Sequence, residues 1–176
     1  MDKLRVLHIL EATLGGTRRH LLQVAQNIDR SRFELGFVLS TTRDKERVEQ
    51  DSRKLREDGF EVHNVTLERE VSPAADISGL MQVIKAVRAF RPDIVHTHAS
   101  KGGILGRLAA KLCGVELCFH TPHLWAFSWE KRWFRHHLYR LAEKFAGTMT
   151  NEILAVSDAQ YEQATRAHIL PESRIH

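Results

Sequence analysis

Four histidines in two short stretches carry the first chemistry of this sequence. "RPDIVHTHASKGG" (91–103) holds His96 and His98 one residue apart, with Gly102 and Gly103 close behind. "FHTPHLWAF" (119–127) holds His120 and His123. An imidazole can ligate a metal, hydrogen-bond a sugar hydroxyl, or help to neutralise a departing phosphate. A metal site needs three or four ligands in suitable geometry. An HxH pair at a strand end occurs in metal-dependent hydrolases, but no HxHxDH follows here, and the chain is short for the barrel that houses such sites. No metal is expected.

Side chains alternate along a strand, so His96 and His98 share one face. His98, nearer the carboxyl end, is expected to emerge into a crevice, and His96 to be a hydrogen-bonded core residue. His120 and His123 are expected at the same carboxyl edge, with Trp125 and Phe127 as an apolar wall. A packed loop with aromatic anchors is the alternative.

A second kind of site is suggested by glycines. "EATLGGTRRH" (11–20) and "HASKGG" (98–103) each lead from a strand into a helix. Helix N-termini expose unpaired N–H groups and favour anions, and Gly15, Gly16, Gly102 and Gly103 can let a ligand approach the backbone. Neither loop is a GxGxxG or a GxxxxGK[ST] motif. Taken singly, each is as consistent with a plain turn.

The elements that must place these loops alternate. Strands are expected at 4–10, 33–40, 60–65, 93–98, 115–120 and 152–157. Between them, Leu21, Leu22, Val24 and Ala25 mark one helix, and Val48 and Leu55 give a charged segment a narrow apolar stripe. Leu80, Val83, Ile84, Val87 and Phe90 mark another helix, ended by Pro92. "ILGRLAAKLC" (104–113) follows, and Phe134, Leu138, Leu141, Ala142 and Phe145 mark a face expected to be core. Asp158 is the expected cap of the last helix. Short buried strands alternating with helices predict an α/β fold, a Rossmann-like open parallel sheet with helices on both faces. Strand order 3-2-1-4-5-6 puts strands one and four side by side, and ligands bind outside their carboxyl ends. The two glycine loops would then converge.

The 176 residues, 43% hydrophobic and 27% charged, fit one soluble domain. No run approaches the ~18 apolar residues of a membrane span. Cys113 and Cys118 form neither a CxxC pair nor a disulfide framework. A net charge of +4 favours acidic partners without choosing among them. Lys131, Arg132 and Arg135 lie among Trp129 and Trp133, and Arg18 and Arg19 lie beside the first glycine loop. These seven residues form either a solvated surface or a patch for anionic lipid headgroups.

The stretches "ILEATLGGTRRHLLQVAQNIDRSRFELGFVLS", "RPDIVHTHASKGGILGRLAAKLCGV", "FHTPHLWAF" and "ILAVSDAQ" together resemble the amino-terminal domain of family-4 retaining glycosyltransferases, which have the two-domain GT-B architecture. The form is close to that of enzymes of bacterial capsule, exopolysaccharide and lipopolysaccharide assembly. The resemblance implies transfer of a sugar from a nucleotide-sugar donor to a lipid-linked or saccharide acceptor, with no cofactor, no metal and no nucleic acid. It implies His123 as the catalytic histidine of a T-x-H loop. It implies Gly15, Gly16 and Thr17 as a donor-phosphate loop, and His98, Ser100, Lys101, Gly102 and His120 as the acceptor pocket. Asn151 stands where an aspartate is common. Residues 1–170 would be the acceptor-side domain, and 171–176 the start of a connection to a covalently linked donor-binding domain. "RIH" (174–176) has the look of a further strand's opening. The chain alone is expected to be inactive, and the full protein cytoplasmic or peripheral on the inner face of the cell membrane. The alternative is a stand-alone, non-catalytic Rossmann-like module that binds a phosphorylated ligand.

Overall fold

Six short runs pair as parallel strands in a computed structural model that describes residues 3–68 and 70–176. They are β1 (Leu4–Leu10), β2 (Phe33–Ser40), β3 (Glu61–Val65), β4 (Ile94–His98), β5 (Leu117–Thr121) and β6 (Glu152–Ile153). The order is β3-β2-β1-β4-β5-β6. This is the doubly wound arrangement expected from the alternation of strand and helix. β6 is two residues long rather than six. Beyond Ile153 the chain turns towards the last helix, and Ile175 adds a parallel bridge to Ile153.

Helices cover both faces. Leu21 and Ala25 of α1 (Gly15–Asn27), with Val48 and Leu55 of α2 (Lys45–Glu57), pack on Val6, Leu10, Leu35, Phe37 and Leu39. Val83, Val87 and Phe90 of α3 (Pro73–Phe90), with Leu105 and Ala109 of α4 (Ser100–Leu112), pack on Leu7, Ile9, Val38 and Val95 of the other face. A third cluster joins Trp125, Phe127, Ile153 and Ile175 to Ala164 and Ala167 of α7 (Asp158–Ala167). Asn151 stitches the strand edge, because its Oδ1 accepts from Cys118 N at 2.7 Å.

Two local expectations change. The N-cap of α7 is Ser157, whose hydroxyl accepts from Gln160 N, and Asp158 is the first helical residue. There its charge still complements the helix dipole. More consequentially, the face of α6 (Trp133–Gly147) marked by Phe134, Leu138, Leu141 and Phe145 is exposed, not core. The buried face of α6 is made by Glu143, Ala146 and Gly147. It docks on α4 through small residues and a desolvated ion pair, Arg107 Nη2 to Glu143 at 2.6 Å. Among the described residues, no helix is long and apolar enough to cross a membrane. After β5 a single turn, α5 (Ala126–Trp129), leads into α6.

Candidate functional site

The sheet brings the loops after β1, β4 and β5 to one edge, and they touch. A Cβ at Gly102 would lie 2.7 Å from Glu11 N, so the start of α4 lies directly on the loop after β1. A Cβ at Gly103 would lie 2.6 Å from the His120 ring. These two glycines admit protein rather than ligand, contrary to the sequence expectation. Gly15 and Gly16 are unobstructed. Both are exposed, neither would meet an atom within 4 Å of an added Cβ, and Gly15 has φ +59°. At the N-cap of α1, Leu14 makes no side-chain hydrogen bond, and the first turn holds no acid. The N–H groups around Gly15, Gly16 and Thr17 therefore face an open, electropositive edge.

Behind that edge lies a histidine cluster that the sequence disclosed only in part. His8 of β1 stands in register with His96 of β4. His8 Nδ1 lies 3.0 Å from His98 Nε2, and His98 Nδ1 lies 3.2 Å from His123 Nε2. His96 Nε2 bonds the Thr121 hydroxyl at 2.9 Å, and its ring stacks on His98 at 4.3 Å between centroids. His20 of α1 covers the group, 5.7 Å from the His98 ring and 5.4 Å from the His123 ring. His98 is thus wholly enclosed, at 0% exposure, instead of emerging into the crevice, and His96 is the half-buried one. The partners that enclose His98 come from β1, α1 and the loop after β5, which strand alternation cannot reveal. His8 and His20 are the two members that the motifs do not mark; their sequence signal is their place on β1 and in "TRRH".

Burial dominates the electrostatics. It holds the His8 pKa down to about 3, with His20 adding repulsion, and that of His123 down to about 4. Burial, then neighbouring imidazoles, also hold His96 and His98 well below the usual range. All four rings are neutral near pH 7, each with one N–H and one lone pair. Among the described residues, His8, His96 and His98 are the group whose nitrogens could hold a metal, lying within 4.8 Å of one another. The His8–His98 contact engages one ring nitrogen of each of two of the three residues.

The remaining site residues separate. His120 is fully buried on the opposite sheet face, since one step along β5 reverses the side chain. It bonds the Thr97 hydroxyl at 2.9 Å and leaves Nε2 without a partner. Burial first, then Arg107, hold its pKa far down. Lys101 is bound to Asp76 at 2.6 Å, and the half-buried Ser100 opens α4. Two residues have strained backbones at this edge. Ala99 has φ +58° and ψ −177°, and His123 has φ +53°. Such conformations cost about 1–3 kcal/mol each and concentrate at functional sites. Glu11, nearly enclosed beside Gly102, accepts from Arg43 at 2.8 Å.

The basic and aromatic residues also divide. Arg18 is engaged by Asp51 through two bonds of 2.6 Å, so it is not free for a surface. Arg135 lies 3.7 Å from Glu130. Arg19, Lys131 and Arg132 are exposed, as are Trp129 at 73% and Trp133 at 76%. Phe134, Leu138, Leu141 and Phe145, spaced along one face of α6, are exposed too, and Lys131 and Arg132 lie just before that helix.

Comparison with known proteins adds an independent line. Residues 15–176 match the family described as Glycosyl transferase 4-like domain. The sequence is 32% identical over 162 residues to the UDP-Gal:alpha-D-GlcNAc-diphosphoundecaprenol alpha-1,3-galactosyltransferase of Escherichia coli, covering 92% of this chain and 40% of that one. It is 23% identical over 157 residues to the capsular polysaccharide biosynthesis glycosyltransferase CapM of Staphylococcus aureus, covering 89% and 41%. The chain therefore spans about two fifths of the curated relatives it matches. Among solved structures, it resembles the lipopolysaccharide outer core galactosyltransferase WaaB (TM-score 0.67, 18% identity, 99% of this chain and 44% of that one). It resembles UDP-GlcNAc 2-epimerase from Neisseria meningitidis to a similar degree (TM-score 0.65, 12% identity, 98% and 46%). At these identities the structures establish the fold alone, and that fold serves more than one reaction.

Proposed function

Since the chain belongs to the Glycosyl transferase 4-like domain family, we propose that it is the acceptor-side half of a two-domain enzyme that transfers a sugar, with retention, from a nucleotide sugar. The acceptor is a lipid-linked or saccharide acceptor of cell-envelope polysaccharide synthesis, in line with the undecaprenyl-diphosphate acceptor in the E. coli relative's name. In the reaction the bond from the anomeric carbon to the diphosphate breaks, a bond to the acceptor oxygen forms, and the acceptor proton leaves with the phosphate. The chain would supply two parts. The uncapped N-terminus of α1 at Gly15, Gly16 and Thr17 would face the diphosphate. His123, strained and half-buried at the same edge, would hydrogen-bond the reacting sugar or the departing oxygen. No metal or other cofactor enters this reading, and the remaining donor contacts would come from a second domain. Ser100 and Gly102 would bound the acceptor side through the start of α4, and His98 would serve from behind.

The observation that carries the reading is the convergence of the open glycine loop and His123 on one sheet edge. In the full-length enzyme, His123→Ala should lower kcat far more than it changes the donor KM, because a bond that strengthens as charge develops acts on the chemical step. A wild-type kcat would assign His123 to the structure of its loop.

For a lipid-linked acceptor, the exposed stripe of α5 and α6 fits an anionic membrane on the cytoplasmic side. Trp129, Trp133, Phe134 and Leu138 are apolar, and Lys131 and Arg132 flank them. Each basic residue near such a surface contributes about 1 kcal/mol, and aromatic insertion adds a part that salt does not screen. The chain should co-sediment with phosphatidylglycerol vesicles. Trp129→Ser with Trp133→Ser should remove the salt-resistant fraction, and Lys131→Ser with Arg132→Ser the salt-sensitive one. Equal binding by all variants would leave the stripe without this role.

A further inference from the structure

Three histidines form an unbroken line from the core to the edge of the site. His8 is 4% exposed, His98 is fully enclosed, and His123 is half-buried. The two contacts are His8 Nδ1 to His98 Nε2 at 3.0 Å and His98 Nδ1 to His123 Nε2 at 3.2 Å. We propose that His8 and His98 are positioning residues that set which ring nitrogen of His123 carries its proton. The inference rests on the reading of His123 given above, and it identifies what that ring presents to a ligand.

The argument is one of counting. A neutral imidazole has one N–H and one lone pair. Each contact in the line needs one N–H, and His98 uses both of its nitrogens. A proton placed at one end therefore dictates the other end, and only two patterns exist. In the first, His8 Nδ1–H donates to His98 Nε2, His98 Nδ1–H donates to His123 Nε2, and His123 keeps its proton on Nδ1. In the second, every proton is on Nε2, His123 donates inward, and its Nδ1 is a bare acceptor.

The line allows no mixture of the two, because His98 has a single proton to share between its neighbours. His8 Nε2 is not among the fully buried, unpartnered atoms of the described residues, so water can serve it in either pattern. His123 Nδ1 has no partner among the described residues and is open to a ligand oxygen. An oxygen gaining negative charge requires an N–H, which the line presents there in the first pattern alone. The surroundings keep the line in place. His96 stacks on His98, His20 covers His98 and His123, and Gln160 Nε2 donates to the His123 carbonyl. Burial of all three rings keeps each in its neutral form.

The test is nitrogen-detected NMR of the ¹⁵N-histidine-labelled chain at neutral pH, which distinguishes protonated from bare ring nitrogens. The same ring nitrogen protonated on all three rings, Nδ1 throughout or Nε2 throughout, is the expected result, and a line that mixes the two overturns the proposal. In His8→Leu the single His123 form should give way to a mixture, and His8→Asn, whose amide can stand near the Nδ1 position, should restore it. An unchanged His123 signal in His8→Leu also overturns it. In the full-length enzyme, His8→Leu should lower kcat at unchanged donor KM, with His8→Asn recovering part of the loss. The two readings fail separately. A uniform line beside a fully active His123→Ala enzyme removes the catalytic reading alone. A wrong line beside an inactive His123→Ala enzyme removes the positioning alone.

Discussion

Acid should unfold this protein through its buried histidines, and His8 gives the effect a size. Its ordinary pKa of 6.5 is held down to about 3, chiefly by burial. A depressed folded pKa means that the unfolded chain binds the proton and the folded one does not. Stability is complete above pH 6.5 and is lost as the pH falls towards 3. Between pH 7 and pH 5 an unfolded histidine of pKa 6.5 gains about 2 kcal/mol from protonation, and His8 in the folded state gains almost nothing. The groups facing it are Phe37 of β2, His96 and His98 of β4, and His20 of α1. None of them is an anion that could restore its charge. His8→Leu removes the titrating group and relieves the repulsion it places on His96 and His98, which acts in the same direction. Urea unfolding of both proteins at pH 7 and pH 5 isolates the contribution, because packing changes cancel in the double difference. The variant should lose about 2 kcal/mol less than the wild type over that range. Equal losses would show that His8 is protonated, or reached by water, in the folded state, and the reasoning from burial would fail.

Gly102→Ala should cost about 1–3 kcal/mol, because its Cβ would meet Glu11 N at 2.7 Å. Gly16→Ala, which meets nothing, should hold stability or raise it by up to about 1 kcal/mol, and thermal melts of the two variants test the contrast. Glu143→Ala should cost about 3–5 kcal/mol by stranding the enclosed Arg107 charge, and a denaturation midpoint close to wild type would mean that water reaches it. Ser157→Ala should cost about 1 kcal/mol and Asp158→Ala less, which a pair of urea titrations would check.

What the sequence disclosed, it disclosed through period and adjacency. β1 and β2 coincide with their apolar runs to the residue, and the strand order follows from the alternation of elements. The convergence of the loops after β1 and β4 was legible for the same reason. The errors come from long-range pairing. Arg18 finds Asp51 and Lys101 finds Asp76, 33 and 25 residues away, and nothing local announces either. His98 is enclosed by rings from three other elements. The α6 error is of a different kind. An apolar stripe states that a helix has a dry side, but not whether this domain supplies the cover, and α4 chose the small-residue face through Arg107 and Glu143.

The placement of the tryptophans has an optical consequence. Of the three, Trp125 is at 0% exposure with its indole N–H on the Gln160 carbonyl, while Trp129 and Trp133 stand in solvent. Native emission is therefore a sum of a blue, shielded component and a red component open to iodide. Loss of the blue component reports melting of the third apolar cluster around β6 and α7. A blue shift of the red component, with protection from iodide, reports contact at α5 and α6. One cuvette can thus follow folding and surface docking as two separate colours, with no label attached.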